Sequence, residues 1–422
     1  MTTAARLSAA TLGAYGLMGF PFAMAALPVY VHLPKFYGEH LGVPLATLGA
    51  LLLVLRIADG VLDPLAGALI DRMRSRKPAI ALAVPVMAVG MIALFSPPDA
   101  ARIGTLPWLA LTLAIVYAAF SFATIAHGAW GAEISSDPVE RTRVTATRET
   151  LALTGVVVAS VMPAWLGNGN EAAGLPIFAW IFAAAILICA AVCLSFTPPA
   201  PRPTAGRPDV LGDLAAPLRD AYFRRLLAVF VANGIASSIP ATLVLFFIAD
   251  VLHAEARQGV FLALYFLAGI AGMPLWIRAS ARFGKVAAWR AAMLLAVAAF
   301  VWAAFLGTGD TTAFAAICIA SGLSFGADLA LAPSLLADVV GRDGRMHATA
   351  AYFGVWTLVT KLNLALAAGI ALPQLAALGY VPGRDDQASA GHLALVYAGL
   401  PCLLKLGAIA MLQRYRALET RA

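Results

Sequence analysis

The chain has 422 residues, of which 61% are hydrophobic and 12% charged, with a formal net charge of +7. An average soluble domain carries roughly 45–50% and 25%, so a water-facing surface cannot be assembled from this composition. The basic surplus lies in short clusters between long apolar runs rather than along a face or stripe, which argues against nucleic acid as a partner and reads instead as membrane topology.

Runs of roughly 20 apolar residues cross a bilayer as helices, and twelve are expected, near 8–31, 43–69, 78–97, 106–134, 149–168, 175–197, 226–250, 258–277, 288–307, 311–337, 349–378 and 392–412. The predicted fold is therefore an all-α membrane protein of twelve transmembrane helices. Met1–Ala10 runs into the first span without a small-residue cleavage site, so no removable leader is expected. The four cysteines, Cys189, Cys193, Cys318 and Cys402, lie in apolar stretches and read as packing residues, with neither a disulfide framework nor a metal site.

Lys and Arg set orientation. With both termini inside, most of the 29 basic residues are cytoplasmic: Arg6, the clusters 72–77, 141–148, 202–225 and 278–290, then Arg342, Arg345, Arg414, Arg416 and Arg421. Lys35, Arg102, Arg257 and Arg384 fall outside, and Arg56, Lys361 and Lys405 lie within spans. The Pro- and Gly-rich TPPAPRPTAGRP opens a linker, dividing the chain into a first six-helix bundle (1–197), a cytoplasmic linker (198–225) and a second bundle (226–422). The halves echo each other: GALIDRMRSRK (67–77) parallels LWIRASARFGK (275–285), and AEISSDPVERTRVTATR (132–148) parallels ADVVGRDGRMHATA (337–350). Parallel six-helix repeats with a solute between them are a transporter plan.

Arg56, Asp59 and Asp63 occupy the middle of the second span, where each charge costs about 2.5–3.5 kcal/mol. Their i, i+3, i+7 spacing puts them on one helix face. One arginine cannot neutralise two aspartates, which points beyond a structural ion pair. At ~1.5 Å of rise per residue, Asp59 lies about 18 Å and Asp63 about 12 Å above the inner end, and Ser121 and Lys361 come out at about 18 Å on their own spans. One layer thus holds two acids, two bases and a hydroxyl.

These segments resemble the major facilitator superfamily and, within it, the glycoside, pentoside and hexuronide cation symporters of the melibiose permease type. The resemblance rests on RIADGVLDP (56–64), AEISSDPVERTRVTATR (132–148), YFLAGIAGMPLWIRASARFGK (265–285), LLADVVGRDGRMHATAAYFGVWTLVTKLNLALA (335–367) and GY at 379–380, in that order along the chain. It implies a major facilitator fold and a coupling cation, a proton or Na+, held at Asp59 and Asp63 with Ser121, Lys361 and Arg56 beside them; no other cofactor or structural metal is expected. Leu62 stands where melibiose-type members have an Asn that offers sodium a neutral oxygen. A site with one oxygen fewer should favour a proton.

The sugar site departs further. The family's first-span aspartate falls near Pro21, and no acid occurs from Met1 to Pro34; its fourth-span aspartate falls on Thr124 and its stacking tryptophan on Gly128, while the arginine persists as Arg148. The expected solute site comprises Thr124, His127, Arg148, Asp328 and Trp356. His127 reads equally as a proton relay, its ordinary pKa being ~6.5, or as a histidine bonded to a neighbouring helix. Asp328 is the acid candidate of the second half, against a helix-packing role. Lys405 reads as snorkelling or locally paired.

Asp71, Arg72, Glu133, Glu140, Arg141, Asp338 and Arg342 are expected to form a cytoplasmic gate, since surface pairs of at most ~1 kcal/mol each suit a reversible latch; topogenic charge is the plainer alternative. GLSFG (322–326) imitates a nucleophile elbow but lacks the preceding strand, and no enzyme constellation emerges. The leading expectation is a monomeric cation-coupled symporter of a small solute such as a sugar or glycoside, in the bacterial inner membrane. One alternative is an exporter or carrier of a less polar or amphiphilic solute, with Phe20, Phe22, Phe246, Phe247 and Trp356 lining its path. Another is a membrane sensor that does not transport.

Overall fold

The computed structural model describes residues 7–98, 104–168, 170–200, 216–254, 257–342, 348–380 and 387–419. Arg6, Arg102, Arg202, Arg207, Arg345, Arg384, Arg421 and most of the linker lie outside the described residues.

Eleven helices among the described residues are long and apolar enough to cross a membrane. The remaining predicted span is the helix Leu45–Asp71, 27 residues long, about 40 Å at the helical rise, whose apolar run is broken by Arg56, Asp59 and Asp63. Its sides differ sharply. Asp59 and Asp63 are buried, whereas Leu53, Val54, Ile57 and Val61 are more than half exposed, which is the surface of a helix facing lipid on one side only. The protein is an integral membrane protein.

Among the boundaries that move from their predicted places, two span starts are set by N-terminal caps. The fifth span is the helix Pro138–Leu166, starting at Pro138 rather than near 149, because Asp137 accepts the N–H of Val139 and Pro138 sits at the first helical position. Such a cap, followed by Glu140 in the first turn, favours a helix start over a loop. Likewise the seventh span, Ala221–Asp250, begins where Asp220 accepts from Tyr222 and Phe223. The first span is segmented into Ala9–Gly16 and Gly19–Leu27, followed by a π-helical turn Pro28–His32.

The chain forms two compact units, one of residues up to Pro217 together with Val340–Leu358, the other of Leu218–Val339 together with the residues from Val359 on. In the first unit, the second span packs on the fourth (Thr105–Glu133), the third (Lys77–Phe95) on the fourth and sixth (Glu171–Phe196), and the first on the fifth. The eleventh span, Thr349–Ala377, contributes its inner part to this unit. It lies directly against the second: a Cβ on Gly67 would meet the Ala350 carbonyl at 2.2 Å, and one on Gly354 the Asp63 carbonyl at 2.5 Å. Glycine at such points lets helix backbones meet, which is how helices associate where lipid supplies no hydrophobic drive.

In the second unit, the seventh span packs on the twelfth (Leu400–Glu419), and the ninth (Lys285–Phe300) on the eighth (Gln258–Phe283) and twelfth. Gly322 and Gly326 of the tenth span, Thr311–Gly341, lie against the carbonyls of Tyr265 and Gly269, and Gly272 against that of Leu323. The glycines of GLSFG are therefore close-packing positions, and its Ser324 bonds back to the Ala320 carbonyl.

Candidate cation site and two further charge clusters

The second and fourth spans meet at a polar point. Ser121 donates to Asp59 Oδ1 at 2.7 Å, so the two residues stand at one depth. Asp59 is 6% exposed and Asp63 fully buried. One turn above, the half-buried Arg56 lies over the Tyr117 ring at 5.8 Å, within cation–π range. A cavity of about 290 Å³ opens between the two spans; Asp59, Ser121 and Tyr117 line it with Leu62 and other apolar side chains. A buried carboxylate bonded to a hydroxyl beside a cavity is equipped to take a proton or to ligate a small cation. Lys361 is half-buried on the eleventh span and falls in the second unit.

The predicted solute residues of the first unit are engaged otherwise. Thr124 bonds back to the carbonyls of Phe120 and Ser121. The His127 ring, 1% exposed, stacks on Tyr15 at 4.1 Å and shares a 3.0 Å hydrogen bond with the Tyr15 carbonyl, while the Tyr15 hydroxyl donates to the His127 carbonyl. That is the geometry of a histidine locked to a neighbouring helix. Arg148 pairs with the adjacent Glu149, a partner the sequence reading did not name. Trp356 is buried at 6%. Phe247 stacks on Tyr397 and Phe22 packs on Phe120 and His127, so both serve the cores of their own units.

Between the second and third spans, Arg76 organises the first unit. It contacts Asp71 at 2.6 Å, Glu133 at 2.6 and 3.2 Å, and the Ile70 carbonyl at 2.7 Å. Asp71 in turn accepts the N–H groups of Ala350 and Ala351, capping the eleventh span. Burial works against the Arg76 charge, but Glu133 and then Asp71 more than offset it and hold the group above its ordinary range. Arg72 is exposed. Glu140 pairs with Arg143 and accepts the N–H of Leu7, and Arg141 donates to the Ser135 carbonyl. The second unit repeats the theme: Lys285, after the eighth span, reaches Asp338 at 2.5 Å near the end of the tenth. Arg342 is half-buried at that helix end.

Asp328 and Lys405 come together. Lys405 donates to Asp328 at 3.2 Å, Asn233 at 2.7 Å and Ser237 at 3.2 Å, and Trp289 donates to the other Asp328 oxygen at 2.7 Å.

The model of the family described as MFS/sugar transport protein matches residues 13–417. The chain belongs to the MFS/sugar transport protein family. Its similar proteins include the inner membrane symporter YicJ of Escherichia coli (strain K12), 28% identical over 138 residues, or 32% of this chain and 30% of that one. YagG of the same organism, named as a glycoside/cation symporter, is 28% identical over 150 residues, 34% of this chain and 33% of that one. The matched region spans about a third of the length of these relatives. Among solved structures, the E. coli fucose:proton symporter FucP in its outward conformation aligns with a TM-score of 0.71 at 13% identity, over 95% of this chain and 98% of that one. A bacterial homologue of the iron transporter ferroportin aligns with a TM-score of 0.67 at 16% identity, over 97% and 98%. Both show the twelve-span fold and nothing finer.

For a member of this family, the residues missed from sequence are Arg76, Glu149, Asn233, Ser237 and Trp289; Lys405, read as snorkelling or locally paired, is paired, and its partner is Asp328. Arg76 was one of four bases in RMRSRK, and nothing in that run marks which of them turns inward. Lys405 and Asp328 lie 77 positions apart, and a lone charge late in a span carries no sign of its partner.

Proposed function

We propose that the protein is a cation-coupled secondary transporter that moves a small solute of the sugar or glycoside class by alternating access. It would act as a monomer in the bacterial inner membrane with both termini cytoplasmic. Its plan would be two six-span bundles, 1–197 and 226–422, joined by the linker 198–225. The Ser121–Asp59 hydrogen bond carries this reading, because it joins two spans at a buried carboxylate in a family of sugar transporters. The names of the relatives YicJ and YagG, both symporters, agree with it.

In this proposal Asp59 and Asp63 take the coupling cation, with Ser121 as neutral ligand and Arg56 as counter-charge; Lys361, expected beside them from its depth, belongs to the second unit. A proton is the favoured ion, since Leu62 at the cavity offers no oxygen. Unneutralised carboxylates oppose the rocking motion, so cation and solute aid each other's binding. The Asp71–Arg76–Glu133 bridge lies within the first bundle and the Lys285–Asp338 pair within the second, so each braces its own bundle.

Gradient-driven uptake into proteoliposomes tests this, with a pH gradient and a sodium gradient imposed separately and Asp63→Asn as the variant. Accumulation driven by the pH gradient and lost in the variant is expected. Undiminished accumulation by the variant refutes the assigned site.

A further inference from the structure

Asn233 and Asp328 place the charge cluster of the second unit well inside the seventh and tenth spans. Counted at ~1.5 Å per residue from the inner ends of their spans, Asn233 and Asp328 stand about 18–20 Å deep. Four spans meet there: the seventh with Asn233 and Ser237, the ninth with Trp289, the tenth with Asp328 and the twelfth with Lys405.

The distances are ordered in a telling way. Lys405 keeps its shortest hydrogen bond, 2.7 Å, for the neutral Asn233, and Asp328 keeps its own, 2.7 Å, for the neutral Trp289. The ion-to-ion contact is longer, at 3.2 Å. Each ion is thus anchored independently of the other, and the contact between them can open while both stay bonded. The anchors are sealed, Trp289 at 0% and Asn233 at 3% exposure. What exposure remains falls on the pair itself, 14% for the Asp328 side chain and 10% for Lys405, and on the half-buried Ser237, whose hydroxyl stands 3.5 Å from Asp328 Oδ2.

A group entering at Asp328 Oδ2 has to donate to a carboxylate and accept from an ammonium or a hydroxyl. A neutral hydroxyl does both. An anionic group meets the charge of Asp328 and an amine meets that of Lys405, each repulsive at this depth. Two of the solute contacts expected in the first unit are engaged elsewhere: Thr124 spends its hydroxyl on its own helix, and Arg148 is balanced by Glu149.

We infer that the Asp328–Lys405 pair is a recognition point in the second unit for a hydroxyl of a neutral, polyhydroxylated solute. Ser237 is the third contact, and Asn233 and Trp289 are positioning residues. This rests on the transport reading above and specifies its solute class.

The test is equilibrium exchange in proteoliposomes with radiolabelled neutral hexoses, pentoses and methyl glycosides, each beside its matching uronate. The key variant is the double change Asp328→Asn with Lys405→Met, which removes both charges and strands neither. Ser237→Ala keeps the ion pair and carries the test if the double variant is not recovered folded. Wild-type protein is expected to exchange a neutral sugar and exclude its uronate. The double variant should raise KM for that sugar tenfold or more, and Ser237→Ala three- to tenfold, in monodisperse protein. A KM within twofold of wild type in either folded variant, or a wild-type preference for the uronate, overturns the inference and leaves cation-coupled transport standing. No exchange of any solute overturns both.

Discussion

Asp71 accepts the backbone N–H of Ala351 at 2.7 Å, across 280 positions of sequence. The last residue of one span thereby caps the first turn of another, and Arg76 clamps the same carboxylate from the side. Removing one partner of a buried pair strands the rest, at about 3–5 kcal/mol. Arg76→Ala, which takes one counter-charge from Asp71 and Glu133 together, should therefore lower thermal stability in detergent more than Asp71→Asn does. Equal melting temperatures for wild type and Arg76→Ala would show the bridge to be idle.

Ser121→Ala removes the hydroxyl that donates to Asp59. A hydrogen bond donated to a carboxylate favours its ionised form by about 1.5–3 kcal/mol, so without it the proton concentration giving half-maximal uptake should fall roughly tenfold or more, whereas a sodium-coupled site, losing a neutral ligand, would need more sodium. Downhill solute exchange should persist. Unchanged cation dependence would remove Ser121 from the site.

Leu62 lines the same cavity as Asp59, which makes it a place to change ion selectivity. Leu62→Asn adds a neutral oxygen, and uptake by this variant should become stimulated by sodium at a pH where wild-type uptake is not. If wild type is itself driven by sodium and indifferent to pH, the assignment of a proton fails.

The stacking of His127 on Tyr15 predicts a structural phenotype. His127→Ala should lose about 1–3 kcal/mol of stability, from an unsatisfied buried carbonyl and lost packing, while the pH profile of uptake keeps its shape. A profile displaced by this variant would restore His127 as a proton relay.

Gly67→Val probes the contact of the second and eleventh spans. Its added atoms would enter the 2.2 Å gap to the Ala350 carbonyl, and overpacking costs about 1–3 kcal/mol. The variant should fold less stably and transport more slowly; full activity would mean that the two helices do not need to stay this close.

Much of the fold was legible because apolar length and loop charge act locally, and each span announces itself. The second span stood out for the opposite reason, since three charges in an apolar run have few explanations. Span starts were less legible: Asp137-Pro138 and Asp220 are ordinary caps, but the charges beyond them read as loop. Partners were legible only where depth arithmetic could match them, as for Asp59 and Ser121. Arg76 was hidden among equivalent bases, and the choice of Asn233 and Trp289 as anchors for Lys405 and Asp328 is made by packing in three dimensions.

The charges of the second span also bear on how the protein is made. Three ionised side chains at about 2.5–3.5 kcal/mol each load this helix with roughly 8–10 kcal/mol during insertion, only partly offset by its leucines, which contribute about 0.3–0.6 kcal/mol apiece. Taken alone it is the segment least willing to leave the translocation channel. The hydrogen bond from Ser121 gives Asp59 a partner on the fourth span, so the charges proposed to bind a cation also make the second span's place in the bilayer depend on its neighbour.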